Sequence, residues 1–190
     1  MSGNPLRLAV VVGSTREGRF APVVANWFAG QAEQRDDMTV DVVDLAEARL
    51  PVVLTREPAP EVAALTPRLD VADAFVVVTP EYNHAYPASL KNAIDWHYTQ
   101  WQAKPVGFVS YGGLAGGLRA VEQLRLVFAE LHAVTIRETV SFHNAWDQFD
   151  ADGQPKDTTG PNVAAKTMLD QLAWWAQALC DARASRPYGT

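Results

Sequence analysis

Two arginines and two hydroxyl side chains stand close together in a short stretch near the start of the chain. The stretch reads GSTREGR and contains Ser14, Thr15, Arg16 and Arg19. It follows an apolar run and precedes a helical pattern, and a helix N-terminus flanked by hydroxyls and fixed cations binds phosphate well. The stretch lacks the ending of a P-loop and is not G-x-G-x-x-G. It therefore predicts a phosphate site of another kind, with an ordinary capped turn and solvated arginines as the alternative.

Two further stretches that could contact a ligand follow later apolar runs. PEYNHAYP begins at Pro80, and it predicts a constrained loop that presents backbone groups and the Tyr82 ring to a flat heterocycle. SYGGLAGG, residues 110–117, has four glycines within six residues, which indicates backbone that approaches a ligand closely. Rigid connections between a strand and a helix are the alternative interpretation of both stretches.

The three stretches are positioned by an alternation of short apolar runs with helical patterns. Strands are predicted over residues 6–12, 39–43, 74–79, 106–111 and 134–140. Helices are predicted around residues 23–28, 61–72 (disturbed by Pro67), 89–98, 118–131 and 163–184. The second and fifth runs carry alternating polar residues, as edge strands do, and the other three are almost uniformly apolar. The pattern predicts an α/β fold: a flavodoxin-like, doubly wound, five-stranded parallel sheet of order 2-1-3-4-5, with helices on both faces and the three stretches at one crevice.

Composition restricts the classes of function. The 190 residues, of which 48% are hydrophobic, predict one compact domain over residues 1–190. Sixteen Lys and Arg against 22 Asp and Glu give a net charge of −6, which argues against nucleic-acid and membrane partners. The single Cys180 fits a reducing cytoplasm, and the four histidines lack the spacing of metal ligands. The first apolar run is too short for a signal peptide, so a cytoplasmic location is expected.

Together the three stretches resemble the NADPH-dependent FMN reductase family of flavodoxin-like proteins, which includes flavin, quinone, azo-dye and chromate reductases. PEYN followed by SLKNAIDW, residues 89–96, is the most specific part of the likeness, which extends over essentially the whole chain. The resemblance implies FMN as the cofactor and NADPH or NADH as co-substrate. It implies that hydride passes from the nicotinamide to flavin N5 and on to a small-molecule electron acceptor, with no catalytic side chain required.

The resemblance also implies which residues hold FMN. The phosphate is expected on Ser14, Arg16 and the amides through Gly18 and Arg19. The ribityl chain and the isoalloxazine are expected against Pro80, Glu81, Tyr82 and Asn83, with Ser110, Tyr111, Gly112 and Gly113 closing the other side. Many relatives carry a serine at the position of Arg19, and whether the charge of this arginine replaces the missing hydroxyl stays open at this point.

A homodimer or homotetramer is expected on two grounds. Trp96, Tyr98 and Trp101 are predicted to form an exposed aromatic patch, which is typical of an interface. The segment 141–160 is long enough to extend over the crevice of a partner.

Two other functions stay open at this point. A flavodoxin-type electron carrier or an FMN-binding regulatory protein would share the fold, although a net charge of −6 is modest for the acidic docking face of a carrier. A nucleotide-processing transferase or hydrolase would need a carboxylate nucleophile in the crevice, and Glu81 is the only obvious candidate.

Overall fold

A parallel β-sheet forms the centre of the computed structural model, which describes residues 4–189. Its strands are β1 (Leu6–Val12), β2 (Met38–Asp44), β3 (Ala74–Pro80), β4 (Pro105–Tyr111) and β5 (Val134–Phe142). They pair in parallel in the order β2-β1-β3-β4-β5. The predicted strands, the α/β class and the strand order are confirmed.

Helices connect the strands and cover both faces of the sheet. They are α1 (Ala21–Glu33), α2 (Leu45–Ala48), α3 (Pro60–Val71), α4 (Ala88–Trp96), α5 (Leu118–Glu130), α6 (Ala145–Gln148) and α7 (Thr159–Ser185), with a 3-10 turn at Thr99–Trp101. Pro67 lies inside α3 without ending it. Proline has no N–H to donate to the carbonyl of Ala63, four residues earlier, but Ala63 is exposed, so water can bond that carbonyl.

An apolar layer covers each face of the sheet. Because successive side chains of a strand point to opposite faces, those of β1 alternate between the two layers. Leu8, Val10 and Val12 pack towards α1 and α7, whereas Ala9 and Val11 pack towards the helices of the opposite face. Every residue of β3 and β4 is buried. Each fully buried Val or Leu contributes about 1.5–3 kcal/mol, so these central strands are held firmly in place.

The aromatic trio predicted as an exposed patch does not form one. Trp101 is 1% exposed and packs in the core, with its ring centroid 4.6 Å from that of Phe75. Trp96 is half-buried and donates its indole N–H to the Pro51 carbonyl at 2.8 Å. Tyr98 alone is widely exposed, at 50%. The prediction of a patch is wrong because two of its three members pack inward.

The segment 141–160 folds back onto its own domain. β5 continues to Phe142, α6 follows, and Phe149 is 5% exposed. The Phe149 ring lies 4.8 Å from the Phe142 ring and 5.4 Å from the Phe20 ring. These contacts anchor the segment to the sheet of the same chain. Across residues 4–189, no helix combines the length and apolar character that crossing a membrane requires.

The buried imidazole of His97 makes folding sensitive to acid. His97 is 1% exposed, and its Nδ1 donates to the Ala93 carbonyl at 2.8 Å. Burial lowers the pKa of His97 below its ordinary value of 6.5. As the pH falls below 6.5, the unfolded chain therefore binds a proton that the folded imidazole binds less readily.

We predict that the free energy of unfolding decreases on this account as the pH falls below 6.5, and that His97→Gln removes this contribution. Urea unfolding of the wild type and the variant at several pH values between 7.5 and 5 measures it. The variant should lose less stability than the wild type over this range. Parallel curves would contradict the assignment.

Candidate active site

Three loops meet at the carboxyl edge of the sheet and enclose a cleft of about 340 Å³. The first loop (residues 13–20) follows β1, the second loop (residues 81–87) follows β3, and the third loop (residues 112–117) follows β4. The cleft is lined by Arg16, Glu17, Gly18, Arg19, Phe20, Pro80, Glu81, Tyr82, Tyr111, Gly112, Gly113 and Trp146. The convergence predicted from the sequence is therefore present in the fold.

The first loop is fixed where it leaves β1. The Gly13 amide donates to the Val78 carbonyl at 2.9 Å, and the Gly13 carbonyl accepts from Ser89 Oγ at 2.7 Å. A Cβ at Gly13 would lie 3.2 Å from the Leu90 side chain, which is a tight contact, so the close approach favours glycine. Ser14 is completely buried, and its hydroxyl shares a 2.8 Å hydrogen bond with the Tyr82 hydroxyl. Ser14 therefore lies beneath the cleft rather than on its wall.

Beyond Ser14 the first loop presents free donors. Within the described chain, the backbone amides of residues 14–18 donate no hydrogen bond. Arg16 is exposed at the cleft, and its side chain forms no ion pair with a described residue. Gly18 has φ of +64°, which glycine adopts easily. Free amides and an unpaired cation at the start of a helix are a suitable site for an anion such as phosphate.

Arg19, the other cation of the first loop, is already paired. Its two terminal nitrogens each lie 2.6 Å from an Asp44 carboxylate oxygen, and Nη1 also donates to the Ser14 carbonyl at 2.8 Å. The hydrogen bonds with Asp44 raise the pKa of Arg19. To replace the hydroxyl that many relatives have at this position, the Arg19 guanidinium would need to be free to meet a phosphate. In the structure it is paired with the Asp44 carboxylate.

The second loop turns sharply over the end of β3. Tyr82 and Ala85 exchange backbone hydrogen bonds at 2.8 and 3.1 Å, and the two residues between them, Asn83 and His84, have φ of +51° and +74°. Asn is among the residues that adopt this left-handed conformation most readily. Asn83 consequently lies exposed at the tip of the turn, outside the lining of the cleft.

Glu81 joins the second loop to the helix after the third. Its Oε1 lies 3.0 Å from Arg119 Nε, and its Oε2 accepts from the Arg119 amide at 3.2 Å, in the first turn of α5. Its side chain is only 10% exposed. A carboxylate held at both oxygens is a poor nucleophile, and this arrangement argues against the transferase or hydrolase interpretation.

The third loop packs tightly against its own strand. Ser110 is fully buried and donates to the Gly116 carbonyl at 2.8 Å. The Gly112 amide donates to the Phe142 carbonyl at 3.1 Å, whereas the Gly113 amide has no acceptor in the part of the chain that the structure describes. Burial raises the pKa of Tyr111, so this phenol stays neutral at physiological pH.

The chain matches the family model described as NADPH-dependent FMN reductase over residues 6–147. It belongs to this family. The NADPH-dependent FMN reductases are oxidoreductases that use FMN and NAD(P)H, and the resemblance seen in the sequence is confirmed.

Curated relatives support the assignment. An NAD(P)H-dependent FMN reductase from Schizosaccharomyces pombe is 34% identical over 122 residues, covering 58% of this chain and 60% of the relative, which is less than two thirds of its length. A 2-hydroxy-1,4-benzoquinone reductase from a Burkholderia species is 32% identical over 183 residues, covering 90% of this chain and 97% of the relative. Among solved structures, FerB, a flavoenzyme NAD(P)H:(acceptor) oxidoreductase from Paracoccus denitrificans, is 25% identical and superposes with a TM-score of 0.73, covering 91% of this chain and 98% of that chain.

Most of the residues predicted for the site of this FMN reductase family member line the cleft. The exceptions are Ser14 and Ser110, which lie buried behind it, and Asn83, which lies outside it. Sequence reasoning missed Trp146 on α6, a fourth wall that is 58% exposed. The only signal for Trp146 was its place in a long segment after the last strand, because a lone tryptophan has no spacing pattern.

The third loop depends on Gly117, the residue before α5. Its φ is +83°, and a Cβ there would lie 2.7 Å from Ser110 Cβ and 3.0 Å from the Tyr111 amide. We predict that Gly117→Ala lowers the free energy of unfolding by about 2–5 kcal/mol, because a left-handed alanine costs about 1–2 kcal/mol and an overpacked contact about 1–3 kcal/mol.

Gly113→Ala provides the matched control. A Cβ at Gly113 meets nothing closer than Trp146, at 3.9 Å. This variant should stay within about 1 kcal/mol of the wild type in urea unfolding. Equal losses in the two variants would contradict the account of Gly117.

Proposed function

We propose that this protein is an FMN-dependent NAD(P)H oxidoreductase acting on a small acceptor. Bound FMN would supply the redox chemistry, in which hydride from the nicotinamide would be accepted at flavin N5 and the reducing equivalents would be passed on to a quinone, azo compound, free flavin or metal oxyanion. The observation that carries the proposal is the cleft itself, where Arg16 and nearby backbone amides have no partner among residues 4–189 and aromatic and backbone groups form the other walls.

The chain's own residues divide the work of binding. The amides of residues 15–18 and the Arg16 side chain would hold the FMN phosphate. The loop backbone at Pro80 and Glu81, with Tyr82, would lie along the ribityl chain and the ring. The Gly113 amide, free of any described acceptor, is the donor that we assign to the ring edge where negative charge develops. Ser14 and Ser110 contribute by fixing the loops from behind.

A flat, apolar acceptor fits the open side of the cleft. Trp146 is 58% exposed there, and Leu114 on the third loop is 87% exposed. Exposed aromatic and apolar side chains at a cleft mouth favour planar ligands, because such ligands gain stacking and apolar contact there. The Burkholderia relative is named as a reductase of a benzoquinone, and a quinone is accordingly the acceptor that we would test first.

Location and assembly stay predictions. We infer a cytoplasmic homodimer or homotetramer. The apolar residues Val52, Val53 and Leu54, at 83%, 73% and 52% exposed, support an assembled state, since contiguous exposed apolar groups are typical of interfaces.

The decisive experiment is identification of the cofactor released from purified protein, followed by stopped-flow mixing with NADPH and with NADH. We predict that FMN is released, that one or both nucleotides bleach its colour, and that benzoquinone restores it with turnover. Protein that binds no flavin would overturn the proposal. Bound FMN that neither nucleotide reduces would instead favour the electron-carrier interpretation.

The anion end of the cleft gives a sharper prediction through Arg16→Ala. The change removes a cation whose charge-assisted bonds contribute about 1.5–3 kcal/mol, so FMN should bind roughly 10- to 150-fold more weakly to the apoprotein. Riboflavin lacks the phosphate and should bind the wild type and the variant almost equally. Fluorescence titration measures both dissociation constants. Equal losses for the two flavins would show that Arg16 is structural, and no loss for either would place the phosphate elsewhere.

A further inference from the structure

One guanidinium links the first loop to the neighbouring edge strand. Arg19 makes a two-pronged ion pair with Asp44, and the two side chains are only 16% and 15% exposed. Exposed ion pairs contribute little, but a bidentate pair shielded from water fixes the position of both partners. Asp44 is the last residue of β2 and also accepts from the Ala46 amide at 3.0 Å, which anchors the carboxylate at the start of α2.

The same guanidinium orients the peptide that opens the first loop. Arg19 Nη1 donates to the Ser14 carbonyl at 2.8 Å. A trans peptide is planar, with its C=O and N–H pointing in opposite directions, so holding the Ser14 carbonyl also fixes the direction of the Thr15 N–H. Thr15 is among the residues whose amides donate to no described group.

The rest of the first loop has little else to hold it. Among the described residues, one backbone hydrogen bond forms within residues 14–19: the Arg19 amide donates to the Arg16 carbonyl at 3.2 Å. Because most amides of this loop donate no hydrogen bond within the described chain, backbone hydrogen bonds do little to fix its conformation. Arg19 fixes it through two bonds to Asp44 and one to Ser14.

We propose that Arg19 and Asp44 form a positioning pair that shapes the anion site without binding the anion itself. The inference rests on the proposed FMN site. It differs from direct phosphate binding by Arg19 because both terminal nitrogens already bond to Asp44 and the charge is balanced there. Arg16 is the arginine left free to meet the phosphate.

Asp44→Asn separates the two possibilities, since they predict opposite changes. Asparagine still caps α2 but cannot make the two-pronged charged pair. If Arg19 is a positioning residue, FMN binds the apoprotein about tenfold more weakly, and riboflavin is unchanged. If Arg19 binds phosphate directly, removing a carboxylate frees a cation, and FMN binds equally well or more tightly. That outcome would overturn the inference.

Arg19→Lys tests the arginine itself. Lysine keeps the charge but cannot bond a carboxylate and a carbonyl with a planar fork. We expect a loss of FMN affinity of the same size, about tenfold, again without a loss of riboflavin affinity. FMN affinity within a factor of two of the wild type would contradict the positioning role.

Asp41→Asn is the matched control. Asp41 lies on the same strand and makes a comparable two-pronged pair with Arg68, at 2.5 and 2.9 Å, on the exposed surface. Asp41→Asn should leave the ratio of FMN to riboflavin affinity unchanged. A changed ratio would mean that the weaker FMN binding of Asp44→Asn comes from net charge, and it would overturn the inference. Urea unfolding of every variant separates loop geometry from global stability.

The proposed function and this inference fail differently. A wild type that does not prefer FMN to riboflavin would remove the anion site and both proposals with it. The other outcome is that the wild type prefers FMN to riboflavin and that Arg16→Ala abolishes this preference, whereas Asp44→Asn and Arg19→Lys preserve it. This result would leave the FMN site in place and overturn the positioning pair alone.

Discussion

The parallel pairing of β1, β3 and β4 is the constraint from which the site follows. Val12 lies opposite Val78, and Pro80 lies opposite Tyr111, so the three strands end at nearly the same level. Because these strands are parallel and buried on both faces, the loops that follow them must emerge at one edge, side by side. The cleft is where these three loops meet.

The charges at this edge are arranged more selectively than the overall acidity of the chain suggests. Asp44 balances Arg19, and Glu81 meets Arg119, which leaves Arg16 as a cation without a described partner at the cleft. Neutral backbone amides supply the other donors. The groups that this edge offers to an anion are therefore few and oriented, while the −6 net charge discourages large polyanions elsewhere.

Sequence reasoning succeeded where one physical property dominated. Uniformly apolar runs predicted the central strands, and their ends predicted the meeting of the three loops, because burial on both faces leaves a clear pattern. It failed at Trp101, which turns inward against Phe75, since a short helical turn hides which side faces the core. It could not foresee the pairing of Arg19 with Asp44 either. Those residues are 25 positions apart, and no local pattern reports on a contact between a loop and the end of the neighbouring edge strand.

The edge-to-face contact between Phe149 and Phe20 links the cleft to a residue that does not line it. Phe20 faces the cleft, and its ring lies 5.4 Å from that of Phe149, which follows the last residue matched by the family model. Phe149 in turn packs with Trp27 beneath α7. Interiors packed this closely transmit small displacements, so changes of volume around Phe149 reach the cleft wall from behind. The shape of the cleft wall at Phe20 therefore depends in part on a side chain outside residues 6–147, the part of the chain that the family model matches.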